Sequence, residues 1–346
     1  MKRNKSLLKV LIASITAVGL ICGTSISAFA QGRYEFDVIS DTHVGHSSTD
    51  ITNTTLALNC IKNKFPDSKC IVINGDVVDN NQKTSYDALY NIISNVNSTT
   101  TKLPYIYFNY GNHEFRANAS DSSSNYTGNL AYFNQRTRDI QARLLGNKGN
   151  VTINERTPGS SYDMQYINKA TNDRLFFLGT DYIPSGNTDN SYLDPNTQLY
   201  QLGLAINANK TESINTGIKK PLFVFSHQPI ANTVWGSETS RNWGNIIDSD
   251  QLISKLANHP EVITFTSHIH KGFTSGANAD DFYSLGGNDS WGNIFSTSSV
   301  SYDPNSNPAP AQGYHVIVWS NAVTVQAIQY ISNTSYNVIS SHTIYY

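Results

Sequence analysis

Charge is scarce in this chain: Lys, Arg, Asp and Glu make up 14% of its 346 residues, with 24 basic against 26 acidic side chains. Beyond residue 30 it has no basic run and no basic–aromatic stripe, which argues against a dedicated DNA or RNA binder that must neutralise many phosphates. Hydrolysis of small nucleotides stays open. Cysteine is scarcer still, with Cys22, Cys60 and Cys70 the only three. In an exported protein Cys60 and Cys70 either pair, closing a short loop worth roughly 2 to 3 kcal/mol, or remain two small buried thiols. No internal repeat is visible, and after the first thirty residues no run is long and apolar enough to span a membrane. Asn, Ser, Thr and Tyr are plentiful instead, so the expected surface is polar but mostly uncharged.

The first thirty residues are a separate object. Lys2, Arg3 and Lys5 make a positive start, Leu7 to Cys22 is almost wholly apolar or small, and Ala28, Phe29, Ala30 has the small-x-small pattern of a secretory cleavage site. An uncleaved anchor is the competing reading, but several Ser, Thr and Gly break the stretch. A lipoprotein site at Cys22 is disfavoured by bulky Ile21. The expectation is a signal peptide over residues 1–30 cleaved after Ala30, and a secreted catalytic domain over 31–346. Cleavage removes Lys2, Arg3, Lys5 and Lys9 and leaves 20 basic against 26 acidic side chains, a charge of about -6.

Along the mature chain, Tyr34 to Ser40 reads as a strand, Ile51 to Lys64 as a helix stopped near Pro66, and Cys70 to Asn74 as a buried parallel strand. Thr84 to Val96 is helical by spacing, and Pro104 to Tyr110 is a third strand. This alternation predicts right-handed crossovers and a parallel half-sheet. The stretch from Asn118 to Gly128 reads as a surface loop, and Leu130 to Leu145 as a helix. Tyr162 to Ile167 and Arg174 to Thr180 form a strand pair, and Thr197 to Ala208 a further helix. Pro221 to Ser226 and Val262 to Thr266 return as buried strands. After His270 the pattern is β, with Ile294 to Ser299, Tyr314 to Trp319, Val323 to Tyr330 and Tyr336 to Ile344 predicted to pair antiparallel and complete a second sheet packed on the first.

Five polar clusters stand at the ends of these apolar runs: Asp41 with His43, Asp76 with Asp79, Asn112 with His113, His227, and His268 with His270. In an α/β sheet, ligands gather beyond the carboxyl ends of the strands, where loops converge. Singly each cluster is weak, because an Asp-x-His after a strand is ordinarily a turn and cap, and a lone His227 ordinarily a bonded core residue. Five clusters at five strand ends, in a chain with nine histidines, point instead to a shared rim of carboxylate, amide and imidazole donors.

Asp41-Thr42-His43, Gly75-Asp76-Val77-Val78-Asp79, Gly111-Asn112-His113-Glu114, His227 and Ser267-His268-Ile269-His270 resemble, in order, spacing and strand context, the five motifs of the calcineurin-like metallophosphoesterases. The resemblance spans residues 36 to 270. It implies an α/β fold, a four-layer α-β-β-α sandwich of two mixed sheets flanked by helices in one domain, with a dinuclear centre at the sheet edge. Motif by motif, it assigns Asp41, His43 and His270 to one metal, Asn112, His227 and His268 to the other, and Asp76 to both. Such donors suit Mn, Fe, Zn or Ni, and one shared carboxylate can hold two cations about 3.5 to 4 Å apart. A hydroxide held between them would attack phosphorus in line, while His113 stands by the leaving oxygen and Asp79 fixes its ring.

Two positions depart from the family's branches. Ser267 replaces the glycine usual before the last His-x-His, which alters the turn without removing a ligand. Asn80 stands where the protein Ser/Thr phosphatase branch places arginine, and Asp79 where purple acid phosphatases carry a metal-binding tyrosine. Both branches are thereby disfavoured, leaving cyclic-nucleotide phosphodiesterase-like and general phosphohydrolase members as the nearest in motif style. His46 and Arg116 are candidate substrate-binding residues, each with an ordinary surface role as the alternative. Trp235 and Arg241, in the loop after His227, either meet a nucleobase or pack as an ordinary loop. The expected function is hydrolysis of a small phosphodiester or phosphomonoester by a secreted dinuclear enzyme. The alternative is a secreted binding or wall-associated protein that keeps the fold and metals without turnover, and a nuclease would call for a more basic groove.

Overall fold

Continuous β-branched and aromatic runs become buried parallel strands, because both faces of each are covered. The computed structural model describes residues 33–98, 100–115, 126–146, 162–168, 172–183, 189–273, 282–285, 292–301 and 311–346. Residues 1–30, expected to be a signal peptide, Arg116 and most of the expected 118–128 loop lie outside them. Strands β1 (Tyr34–Ile39), β2 (Cys70–Asn74) and β3 (Tyr105–Asn109) lie parallel, with helix α1 (Ser48–Lys64) between the first two and α2 (Lys83–Val96) between the second pair. Helix α1 starts at a capping box, in which Ser47 and Asp50 satisfy each other's backbone N–H groups. Beyond β3 come the single turn α3 (Asn112–Phe115) and α4 (Tyr126–Ile140), which runs on into a π-turn over Gln141–Leu145.

The second sheet collects β4 (Asp163–Asn168), β5 (Asp173–Leu178), β7 (Leu222–Ser226), β9 (Val262–Thr266), β10 (Tyr283–Leu285) and β11 (Asn293–Ser296), in the order β10-β11-β9-β7-β5-β4. Its four central strands are parallel, and both edge strands run antiparallel to their neighbours. A small ladder pairs β6 (Ser191–Tyr192) with β8 (Ile246–Ile247). Helices α5 (Gln198–Thr216) and α6 (Ser249–Leu256) bury Leu199, Leu202, Ile206, Leu252 and Leu256 against the outer face of the second sheet, represented by Phe176, Val224 and Val262.

The C-terminal strands depart from expectation. Strands β12 (Gln312–Val318), β13 (Ala322–Ser332) and β14 (Ser335–Tyr345) do pair antiparallel, but they extend the first sheet, in the order β14-β13-β12-β1-β2-β3. Of the four strands expected after His270, only the one corresponding to β11 joins the second sheet, and it does so parallel to β9. Hairpin spacing encodes local pairing; which open edge a meander then fills depends on the rest of the fold, and here β12 takes the free edge of β1.

The two sheets pack face to face. Phe36 of β1 meets Phe223 of β7 with ring centroids 4.8 Å apart, and Tyr107 of β3 meets Phe177 of β5 at 6.0 Å. Asparagines pin the sheets beside this core: Asn74 Nδ2 donates to the carbonyls of Ser226 (2.9 Å) and Phe265 (3.2 Å), and Asn109 Nδ2 to that of Leu178 (3.1 Å). Cys60 on α1 and Cys70 at the start of β2 are buried free thiols. Burial pushes the Cys60 thiol up to about 11 and holds Cys70 well above the ordinary thiol range, which leaves both unreactive at neutral pH.

Candidate metal centre

All five polar clusters emerge at the carboxyl ends of parallel strands, and the loops that carry them are zipped together. Past β1 and β2 the main chain continues as a ladder: Asp41 N donates to Gly75 O (3.1 Å), His43 N to Asp76 O (3.0 Å) and Asp79 N to Val44 O (3.2 Å). The second sheet repeats the device with Ser267 N donating to His227 O at 2.9 Å. Gly75, at φ +89°, and Gly111 let these loops close, since a Cβ would come within 2.4 Å of His227 Nδ1 at the first and 2.2 Å of Asp76 Oδ1 at the second. Asp41, His43, Asp76, His268 and His270 are themselves in the left-handed region, with φ between 41° and 74°. Each such residue costs about 1 kcal/mol or more, and such strain gathers at functional sites.

The side chains converge into two donor groups that share Asp76, and a third group joins His43 to Asp79 and His113. Asp41 Oδ1 lies 3.0 Å from His270 Nε2, and the Nε2 atoms of His43 and His270 face each other at 3.1 Å. Asp76 Oδ2 lies 3.6 Å from His43 Nε2 on one side and 3.1 Å from His227 Nε2 on the other. Asn112 Oδ1 is 3.2 Å from the same His227 nitrogen. Ligand atoms of Asp41, His43, Asp76 and His270 fall within 4.8 Å of one another, as do those of Asp76, His227 and His268.

Outer partners set which ring nitrogen faces inward. His227 Nδ1 is held by Asn74 O at 3.0 Å, leaving Nε2 for the centre, while His268 Nε2 donates to Trp243 O at 2.6 Å. That leaves buried His268 Nδ1 with no hydrogen-bond partner among the described residues. An orphaned buried nitrogen, two ring nitrogens turned on each other, and oxygen donors between them are what a pair of first-row cations would satisfy. The residues fit the two metals that the motifs imply.

Burial and charge divide the protonation states. Burial works against the Asp41 carboxylate, but His270 and His227 outweigh it and bring its pKa to about 2; Asp76 is likewise held well below its ordinary range, mainly by His227 and His113. Burial also opposes charge on His227, yet Asp76 and Asp41 push it up to about 10. Burial lowers His43 and His268 to about 4, so both rings are neutral, the ligating form, at physiological pH.

The family model of the calcineurin-like phosphoesterases matches residues 34–272. The chain belongs to the calcineurin-like phosphoesterase family. Among solved structures of the same fold, that of PhoD shares 12% identity at a TM-score of 0.52, with 91% of this chain and 73% of PhoD covered. The purple acid phosphatase PPD1 from yellow lupin (Lupinus luteus) seeds shares 11% identity at a TM-score of 0.51, over 91% of this chain and 54% of its own. Among curated protein sequences none matches significantly.

Of the residues singled out by the family motifs, the seven candidate ligands come together at this rim. His113 stands beside them, one quarter exposed, with Nε2 3.9 Å from Asp76 Oδ2. Its ring is fixed differently from expectation: Nδ1 bonds the Asp79 main-chain oxygen at 2.6 Å, while the Asp79 carboxylate sits 3.7 Å from both His113 Nδ1 and His43 Nδ1. His46 is exposed, with Nδ1 3.4 Å from Asp50 Oδ2. Several supporting residues had drawn no notice as such. Buried Glu114 accepts from Val78 N (2.9 Å) and Gly111 N (2.7 Å), bracing the turns that carry Asp76 and Asn112. Ser267 is more than a glycine replacement: its hydroxyl donates to Asn74 O at 2.7 Å and lies 3.1 Å from His227 Nδ1.

Proposed function

We propose that this protein is an exported metal-dependent phosphoric ester hydrolase acting on a small phosphodiester or phosphomonoester. The observation that carries the proposal is Asp76, whose Oδ2 belongs to both donor groups and so can tie two cations into one reacting centre. Asp41, His43 and His270 would hold one ion, and Asn112, His227 and His268 the other. When bound, such a pair supplies Lewis acidity to the phosphoryl oxygens and lowers the pKa of water.

The remaining chemistry belongs to side chains. His113 presents Nε2 toward the centre because Nδ1 is tied to the Asp79 carbonyl. In that orientation Nε2 can deliver a proton to the departing oxygen, and the Asp79 carboxylate nearby supports the ring's positive charge. Asp76 Oδ1 accepts from His113 N at 3.0 Å, which ties the proton donor to the shared ligand.

The test is hydrolysis of p-nitrophenyl phosphate and bis(p-nitrophenyl) phosphate by the purified protein. Chelation should abolish it and Mn restore it. Stoichiometric metal uptake without turnover across a broad phosphoester panel would instead assign the chain to a non-catalytic binding role. Export rests on the residue pattern of positions 1–30, and N-terminal sequencing of the secreted protein should begin at Gln31.

A further inference from the structure

The loop that follows β7 brings Trp235, Arg241 and Trp243 against the candidate centre, and the loop that follows β9 adds Lys271. Trp235 and Trp243 meet edge to face with centroids 5.6 Å apart. The Arg241 guanidinium lies 4.6 Å from the Trp235 ring centre and 5.0 Å from that of Trp243, and the Lys271 ammonium lies 4.4 Å from that of Trp235. Two features attach the group to the donor set: Trp243 supplies the carbonyl that holds His268 Nε2 at 2.6 Å, and Lys271 directly follows His270. Trp243 is 41% exposed, a large indole at the surface of a chain whose mean hydropathy is negative.

Glu238 Oε2 pairs with Arg241 Nε at 2.7 Å and offsets one of the two positive charges, so the group carries a net positive charge. Cations already stacked on the indoles repel a quaternary ammonium, the ligand that an empty aromatic cage would favour. They attract an anion, and an exposed indole offers its face to another flat π-system. Within one molecule those two requirements describe a nucleotide. Its phosphate can lie at the donor set while its base stacks beside His268.

We propose that Trp235, Arg241, Trp243 and Lys271 form a nucleobase subsite, so that the phosphoesters this protein takes are nucleoside phosphoesters. The proposal rests on the phosphoesterase reading above and names its substrate class. Base stacking supplies affinity without reading base identity, so purine and pyrimidine nucleotides both bind, purines more tightly through their larger ring.

The test is equilibrium binding of AMP, ribose 5-phosphate and phosphocholine to the metal-loaded full chain, followed by calorimetry and by quenching of tryptophan emission. AMP should bind about 5- to 150-fold more tightly than ribose 5-phosphate, the range that stacking of one base contributes, and should quench emission; phosphocholine should bind no better than ribose 5-phosphate. Trp243→Ala should bring the AMP to ribose 5-phosphate ratio close to one, and Trp243→Phe should restore most of it. Arg241→Ala, at an exposed position, should lower the ratio as well and serves if the tryptophan variant does not fold. Equal binding of AMP and ribose 5-phosphate by the wild type, or an unchanged ratio in these variants, overturns the subsite. If p-nitrophenyl phosphate is still hydrolysed in that case, only the subsite fails; absence of any metal-dependent hydrolysis strikes the phosphoesterase reading itself.

Discussion

Loading metal should expel a proton from His227. Without metal the ring sits between two buried carboxylates, 3.1 Å from Asp76 and 3.8 Å from Asp41, and these push its pKa up to about 10 despite burial. A cation needs the Nε2 lone pair, so at pH 7 it must displace a proton held three pH units more tightly than the solution demands. That lowers the apparent affinity roughly a thousandfold, or about 4 kcal/mol, below its high-pH limit. Since the folded pKa is raised, the competition is full at low pH and fades as pH rises toward 10. Apparent affinity for Mn should therefore tighten roughly tenfold per pH unit, about a hundredfold between pH 6 and 8. Titration calorimetry in two buffers of different ionisation enthalpy should count on the order of one proton released at the Asn112, His227 and His268 half. His227→Gln should remove that release along with the ion. Metal affinity independent of pH over this range, with no proton released in either buffer, would refute the argument.

Four further outcomes follow from the same geometry. Asp76→Asn should cut kcat/KM about a thousandfold and lower metal stoichiometry, with near-ultraviolet circular dichroism unchanged. His113→Gln should lower kcat by about 10²- to 10⁴-fold on alkyl esters and much less on p-nitrophenyl esters, which need no proton on departure; equal losses on both would refute the proton-donor role. Glu114→Gln turns one of two acceptor oxygens, each facing one buried N–H group, into a donor and should cost about 1 to 3 kcal/mol in urea unfolding, with metal affinity down about 10- to 100-fold. His315 offers a pH test away from the centre. Burial opposes its charge, but Asp37 at 3.0 Å and Glu35 at 3.6 Å push its pKa up to about 9, while burial raises the Asp37 carboxyl and gives part of the gain back. The net contribution of about 1 to 3 kcal/mol is present below the ordinary histidine range and lost as pH rises through 9. Urea midpoints at pH 7 and 10 should therefore diverge more in the wild type than in His315→Gln.

The candidate ligands were legible because each lies within a few residues of the end of an apolar run, and runs such as β2 and β3 are buried from end to end. A polar residue just past such a run has few places to go except the rim of the sheet. The supporting residues carried no comparable signal. Asn74, Asn109 and Ser267 look like ordinary turn residues, and Asn74 finds Ser267 across 193 positions of chain. The hold on His113 was hidden for a different reason: its partner is a main-chain oxygen, which no side-chain identity encodes. Helix α6, eight residues long, was too short for its spacing to stand out. The C-terminal meander announced its hairpins but not its destination, since an antiparallel edge pairs equally well with any open strand of matching length.

The left-handed backbone at Asp41, His43, Asp76, His268 and His270 also narrows what these positions can become. Among residues with a side chain, Asn, Asp and His enter that region most readily, and bulkier or β-branched ones resist it. The oxygen and imidazole character of the centre is thus favoured twice over, by coordination and by conformation. Substitutions toward thiolate or longer carboxylate donors meet a backbone penalty at five of the seven positions. Asn112 and His227, outside the left-handed region, are where a different metal preference could evolve or be engineered at least conformational cost.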